Sequence, residues 1–409
     1  MLDGVFVLDL SRVLAGPYCT QLLADLGARV VKVESPRGDD TRGWGPPFVG
    51  EESAYFLSVN RGKQSVALDL KDPRGQEAVR RLAARADVLV ENFKVGDLAR
   101  YGLDYASLAE ANPGLVYASI TGFGQDGPRA REPGYDAALQ ALSGLMELTG
   151  EADRPPVKLG VAWIDVLTGS HTAAAVLAAL VARGRTGRGV HLDISLFEVA
   201  LASLVNQAQS ALLTGEAPKR LGSAHPSIVP YQAFEAADGS MMIAVGNDEQ
   251  FRRLCEALGM PELAEDERFA TNAGRVTARD TLVPRLAERL LARPRREWLE
   301  ALREAGVPAT PVATLPEALA DEQTRARGLV VQGTHAGVGP LRMVGSPLWH
   351  ATDPDGHAVG LAPEAGACPV PPRLGEHSRA VLESDLGMTE DEVDALERAG
   401  VVRAAPAAR

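Results

Sequence analysis

Residues 5–34, VFVLDLSRVLAGPYCTQLLADLGARVVKVE, decide how the chain reads. Val5–Leu10 is a short apolar run, Gly16-Pro17 marks a turn, Tyr18–Leu26 is amphipathic, and Val30–Glu34 is a second apolar run. That order is strand, helix, strand. Working outward, strand-like runs recur at Ser65–Leu70, Val88–Glu91 and Leu115–Ile120, and helical segments alternate with them. One helix has a marked start, with Asp72 as N-cap and Pro73 at the first helical position. Strands alternating with helices imply an α/β fold whose parallel sheet is covered on both faces.

The pattern continues past residue 160. Thr168–Arg183 is apolar nearly all round, as in a helix buried in a core. A turn through Gly187 and Gly189 leads to a strand at Val190–Ser195, and Phe197–Leu213 reads as one long helix. Gly215–Pro226 is a connector of small residues. Beyond it the character changes. Tyr231–Ala236, an Asp238-Gly239 turn and Met241–Val245 form a hairpin, followed by helical segments at Asp280–Ala292 and Arg295–Ala305 and a short strand at Val307–Val312. From Gly328 the chain is strand-like and rich in Pro and Gly, and it closes with a helix at Glu390–Ala399. The expected organisation is a large parallel-sheet domain from 1–200, a linker at 201–226, a small α+β domain at 227–313, a linker at 314–330, and a segment, 331–409, that completes the large domain.

Composition removes several classes of function. With 409 residues, 45% hydrophobic and 23% charged, the profile is that of a globular enzyme. A formal charge of -12 opposes a nucleic-acid partner, since phosphate binding needs a basic face. Cys19, Cys255 and Cys368 are too few and too scattered for a disulfide framework or a CxxC metal site. Met1–Gly16 carries Asp3 and Asp9 and no basic region, so it reads as a strand rather than a signal peptide, and no run of about 18 uninterrupted apolar residues spans a membrane. A cytoplasmic protein is expected. The seven histidines show no metal-ligand spacing, and His171 falls in the buried helix.

The opening unit imitates a dinucleotide-binding one, with Glu34 at the end of its second strand. The imitation fails on glycines: Gly16 alone lies in the turn, so the close backbone approach to a pyrophosphate is missing. Gly62-Lys63-Gln64 likewise lacks the spacing of a P-loop.

What remains is an acid at the start of the buried helix, in Gly160-Val161-Ala162-Trp163-Ile164-Asp165-Val166-Leu167-Thr168-Gly169. Locally Asp165 could do no more than cap that helix. Its surroundings in the chain say more. The segment resembles the nucleophile region of class III CoA-transferases, and so, in order and spacing, do Ala15-Gly16-Pro17, Thr41-Arg42-Gly43-Trp44, Val90-Glu91-Asn92-Phe93, Pro133-Gly134-Tyr135-Asp136, His225-Pro226 with Pro230-Tyr231, and Leu374-Gly375-Glu376-His377.

The resemblance implies a Rossmann-like large domain, a small domain, and an interlocked homodimer whose long linkers thread the partner. It implies Asp165 as the nucleophile, coenzyme A and acyl-CoA as substrates rather than a tightly bound cofactor, and a free carboxylic acid as the second partner. It places Val13, Leu14, Leu68, Lys71, Asn92, Phe93, Arg100 and Tyr135 at CoA-contacting or neighbouring positions, with Arg37 as a further phosphate candidate. Arg42 and Trp44 are candidates for holding the acid, Arg42 having a structural ion pair as its other reading.

Two rivals stand beside transfer. The α-methylacyl-CoA racemases share the fold and resemble this chain, but carry histidine where Tyr135 stands, and a phenol with a reference pKa of about 10 is a poor base near neutral pH. A CoA-binding protein without catalysis would not need Asp165 and Tyr135 intact. Formyl-CoA/oxalate enzymes have a glycine run over the nucleophile and a glutamine at the position of Leu14. Here Gly246-Asn247-Asp248-Glu249-Gln250 replaces the run, which turns the expectation toward a larger acid, a C4 to C6 dicarboxylate, with succinyl-CoA as donor.

Overall fold

The computed structural model describes residues 1–352, 354–355, 363 and 366–405. Its contacts divide the chain into two units: Met1–Ser143 with Leu159–Ala208 and Glu322–Arg409, and Gly144–Lys158 with Gln209–Asp321. Residues 144–158, which lie in sequence within the large domain's first part, thus pack with the second unit.

The first unit is built on a seven-stranded sheet. Its strands are β1 (Phe6–Asp9), β2 (Arg29–Glu34), β3 (Lys63–Leu68), β4 (Val88–Glu91), β5 (Val116–Thr121), β6 (Val190–Ser195) and β7 (Val402–Arg403). The spatial order is β7-β3-β2-β1-β4-β5-β6, all parallel except β7, which pairs antiparallel with β3. Strand order reverses between β1 and β4. In open α/β sheets the loops leaving the carboxyl ends at such a reversal diverge to opposite faces and leave a crevice for ligands.

Burial explains why these runs became strands. Val7, Leu8, Val31, Val66, Leu68, Leu89 and Val116 are at most 0% exposed, so both faces of the central strands are covered. One face packs on the helix Pro73–Ala83 through Val79 and Leu82, and on the C-terminal helices through Val381, Leu382 and Val393. The C-terminal segment therefore belongs to the same core as the first residues. On the other face lie α1 (Ala15–Asp25) and α2 (Trp163–Thr186), which pack against each other. By length and composition α2 could cross a membrane, but in this fold Ile164, Thr168, Ala173 and Val176 are buried in the protein. A Cβ added at Gly169 would stand 2.6 Å from the Ala15 carbonyl oxygen, so glycine is what lets α2 lie on α1.

The second unit carries an antiparallel sheet of Tyr231–Ala236, Gly239–Ala244 and Ala309–Pro311. The hairpin loop is Ala237-Asp238, since Gly239 already pairs with Ala236. Trp298 fills its core, donating from Nε1 to Leu290 O at 2.8 Å. The Gly246–Gln250 stretch is a helix start: Asn247 caps Asp248–Leu258, its Oδ1 accepting from Gln250 N at 2.9 Å.

The expected continuous helix at Phe197–Leu213 is corrected. It is two helices, Leu196–Ser203 and Val205–Thr214, bent by 79° where Val205 takes φ 35°. An apolar pattern carries no mark of a single residue leaving helical geometry.

Candidate active site

The crevice at the strand reversal is formed by two loops that hold each other. Asn92, just past β4, accepts from Arg12 N through Oδ1 at 2.9 Å and donates from Nδ2 to Arg12 O at 2.7 Å. From below, Asp9 accepts from Ser11 N and Oγ, and Lys32 Nζ donates to Ser11 O at 2.7 Å. Asp39, paired with Lys32 at 3.0 Å, accepts from Val13 N at 3.3 Å. These bonds fix residues 11–13 so fully that Val13 sits at φ 70°, a region costly for a β-branched residue and held only where its surroundings over-determine it.

The ions beneath are fully buried: Asp9 bonds Lys63 Nζ, Thr20 and Ser11. Burial alone would raise the Asp9 carboxyl, but Lys63 and Lys32 hold it below its usual range. The charges stay because each has a partner and hydrogen bonds.

Above this platform lie two adjoining cavities. The inner one, about 230 Å³, is lined by Val13, Leu14, Trp44, Asn92, Phe93, Tyr135 and Asp165 among others. The outer one, about 760 Å³, is lined by Arg37, Arg42, Leu68, Lys71, Phe93 and Arg100 among others. Arg12, Asp40 and Phe93 line both. The residues singled out in the sequence therefore converge on one bipartite cleft. Arg37, Lys71 and Arg100 are exposed, whereas Leu68 is fully buried and can offer only the floor.

Asp165 is not the cap of α2. The N-cap is Ala162, whose side chain makes no capping bond, and Asp165 lies within the first turn. The cap comes from far away in sequence: Asp136 Oδ1 accepts from Ile164 N at 2.7 Å and from Asp165 N at 3.2 Å. Asp136 is itself oriented by Gln140, whose Nε2 donates to Oδ2 and whose Oε1 accepts from Leu159 N. The Asp136 loop reaches this place because Gly134 lies against Gly122, where a Cβ on Gly134 would stand 2.3 Å from the Gly122 Cα.

With the backbone donors of the helix satisfied by Asp136, the Asp165 carboxyl is left without that help. Burial, then the Asp136 charge, pushes it up to about 7. A carboxyl so raised is a better nucleophile when ionised and is half ionised near neutral pH.

Arg42 corrects one expectation. It is bidentate to Glu34, Nε to Oε2 and Nη2 to Oε1 both at 2.8 Å, donates also to Pro372 O, and stacks 3.6 Å above the Phe56 ring. Its planar fork is spent on a buried acid, so the structural ion pair, not acid binding, describes it. Trp44 is exposed at the inner cavity and meets Tyr55 edge-on at 5.2 Å. Sequence reasoning missed Arg12, Asp136 and Tyr55. The Tyr55 phenol is raised to about 12 by burial and by the charges of Asp165, Asp136 and Asp39. Only Asp136 had a signal, as the acid ending Pro133-Gly134-Tyr135-Asp136.

A cleft with one half lined by basic side chains and the other by a raised carboxyl suits a long anionic ligand with a reactive end. Comparison with known proteins gives the same reading. The model of CoA-transferase family III matches residues 2–368. The chain belongs to CoA-transferase family III. The succinate–glutarate CoA-transferase of Agrobacterium fabrum is 46% identical over 93% of this chain and 94% of its own length. Human succinyl-CoA:glutarate CoA-transferase is 41% identical over 98% of this chain and 90% of its own length. Among solved structures, a CAIB/BAIF family protein from Brucella suis matches with a TM-score of 0.81 and 46% identity, covering 94% of this chain and 99% of that one. This class III CoA-transferase moves coenzyme A from an acyl-CoA to a carboxylate, and its parallel-dominated α/β sheet accords with the family's solved members.

Proposed function

We propose that Asp165 carries coenzyme A between the two acids as a side-chain thioester. Its carboxylate attacks the carbonyl of the acyl-CoA, forming a mixed anhydride and releasing CoA thiolate. The thiolate attacks the aspartyl carbonyl, giving an Asp165 thioester and freeing the donor acid. The acceptor carboxylate then attacks that thioester, and the returning thiolate cleaves the second anhydride at the acceptor carbonyl, restoring Asp165. One thioester is exchanged for another, so no ATP is consumed. The observation that carries this reading is Asp165 itself, raised to about 7 at the wall of the inner cavity and excused from capping.

The nucleotide end of CoA would take the outer cavity, with Arg37, Lys71 and Arg100 toward its phosphates and Phe93 at the passage between the cavities. Val13, Leu14, Asn92 and Tyr135 would border the pantetheine and acyl group. Succinyl-CoA as donor and a C4 to C6 dicarboxylate as acceptor are supported by the names of the succinate–glutarate relatives. With Arg42 spent on Glu34, a distal carboxylate would fall to Arg12, Lys94 or Arg131, cations that line the inner cavity. A homodimer is part of the same proposal; the exposed Val181 and Val205 are apolar surface that such an interface would cover.

The test is to mix the enzyme with succinyl-CoA, quench with hydroxylamine, and map the modified peptide by mass spectrometry. Modification at Asp165, absent from D165A, is expected. Full transfer by D165A, or α-proton exchange without any trapped species, would overturn the assignment, the second result in favour of racemisation.

A further inference from the structure

Behind the inner cavity, three polar side chains from adjacent strands stand in a row. Glu91 ends β4, Ser119 lies opposite it in β5, and His191 follows in β6. Glu91, 5% exposed, accepts from Phe93 N through Oε2 at 2.7 Å, and Ser119 stands opposite it on the neighbouring strand. Ser119 Oγ lies 2.9 Å from His191 Nε2. The His191 ring stacks on Tyr105 with centroids 5.2 Å apart and meets Tyr117 edge-on at 5.4 Å. This group lines its own cavity of about 50 Å³, whose wall includes Lys94 and Val95. The same two residues line the inner cavity, so Lys94 and Val95, which follow Phe93, form a partition between them.

Glu91 differs from the other buried acids near the site. Asp9, Glu34 and Asp39 each face a lysine or arginine, whereas the charge that acts on Glu91 is another acid, Asp193 of β6. Across β5, His191 faces it through Ser119, and Asp104 and Tyr105 border the cavity with Lys94. On the β1 side Asp9 is already paired with Lys63. Burial first, and Asp193 with it, raise Glu91 to about 7, against the Ser119 and Phe93 hydrogen bonds, which lower it.

We propose that Glu91 is a positioning residue for the acyl-CoA: its bond to Phe93 N–H sets the partition of the inner cavity, and Ser119 and His191 behind it carry its proton. In the ionised state His191 Nε2–H donates to Ser119, Ser119 donates to Glu91, and the carboxylate accepts Phe93 N–H as a charge-assisted bond. A proton arriving from solvent at Nδ1 of half-buried His191 drives the Nε2 proton to Ser119 and the Ser119 proton to Glu91. Imidazole then remains neutral with its proton on Nδ1, both hydrogen bonds of the row reverse, and Phe93 N–H keeps a weaker, uncharged acceptor. The row thus couples the shape of the partition to protons without opening the cavity to water. The proposal rests on the reading that CoA passes Phe93.

The experiment is calorimetric binding of CoA from pH 6 to pH 8.5 to the native enzyme, E91Q and S119A. Titration of CoA's own phosphate is common to all three and cancels in the comparison. Relative to E91Q, native binding is expected to weaken about fivefold as pH falls through the Glu91 midpoint, the difference between a charged and a neutral acceptor. S119A, which loses a bond that favours the ionised form, should move that midpoint upward. Equal pH profiles for the native enzyme and E91Q overturn the proposal; if E91Q does not fold, a native midpoint in S119A does so. Absence of CoA binding by the native enzyme itself would overturn the cavity assignment, and this proposal with it.

Discussion

Replacing Asp165 by asparagine should make the protein inactive and more stable, by an amount that depends on pH. An acid moved from 3.8 to about 7 resists ionisation in the folded state but not in the unfolded one. Below pH 3.8 the carboxyl is protonated in both states and contributes its full share of stability. As pH rises toward 7 only the unfolded chain ionises, so that share is lost, and it is gone above 7. At about 1.36 kcal/mol per pH unit, the ceiling is about 4 kcal/mol at pH 8. Solvent reaching the half-buried side chain reduces it, and about 2 kcal/mol is a reasonable working figure. Asparagine is nearly isosteric and never ionises. In urea unfolding, the stability gained by D165N should therefore be about 2 kcal/mol larger at pH 8 than at pH 4. Glu91 titrates in both proteins and cancels. A gain that does not change with pH, or a loss at pH 8, would refute the claim that burial and Asp136 raise this carboxyl. Transfer activity in the same variant should fall at least ~10³-fold, because an amide cannot form the thioester.

Three further outcomes follow from the same geometry. The rate of transfer, as kcat/KM, should rise with pH and level off near the Asp165 midpoint of about 7; D136N, whose Oδ1 still accepts from Ile164 and Asp165, should shift that midpoint downward in a pH–rate profile. R42A leaves Glu34 buried without its cation and should cost about 3–5 kcal/mol in urea unfolding, where a loss below ~1 kcal/mol would show the pair to be dispensable. G169A gains about 1 kcal/mol of helix propensity but drives a Cβ toward the Ala15 carbonyl, a backbone atom that cannot yield; a net loss of about 1–3 kcal/mol is expected from thermal melts.

How far the sequence could be read differs from one element to the next. The strands at 88–91 and 190–195 were legible to the residue because an apolar run between polar turns is a local pattern. The helix expected at 197–213 was not, because one residue's dihedral ends it at Val205. In the site, Asp165 stood out through matching segments along the whole chain, while the local pattern alone allowed a cap. Arg42 shows the opposite case: its type and place suited acid binding, and only the approach of Glu34 from β2 revealed where its donors go.

By itself the sequence determined the alternation of elements, the parallel sheet, the acid at the head of a buried helix and the family, since all of these are carried by residue order and periodicity. The tertiary structure decided what that acid is free to do. Asp136 caps α2 from 29 residues away, the buried ions hold residues 11–13 in place, and Glu91 lies behind Phe93 with no ion pair among the described residues. These are matters of distance and dielectric between groups far apart in the chain, and they take a value only once the sheet has brought the groups together.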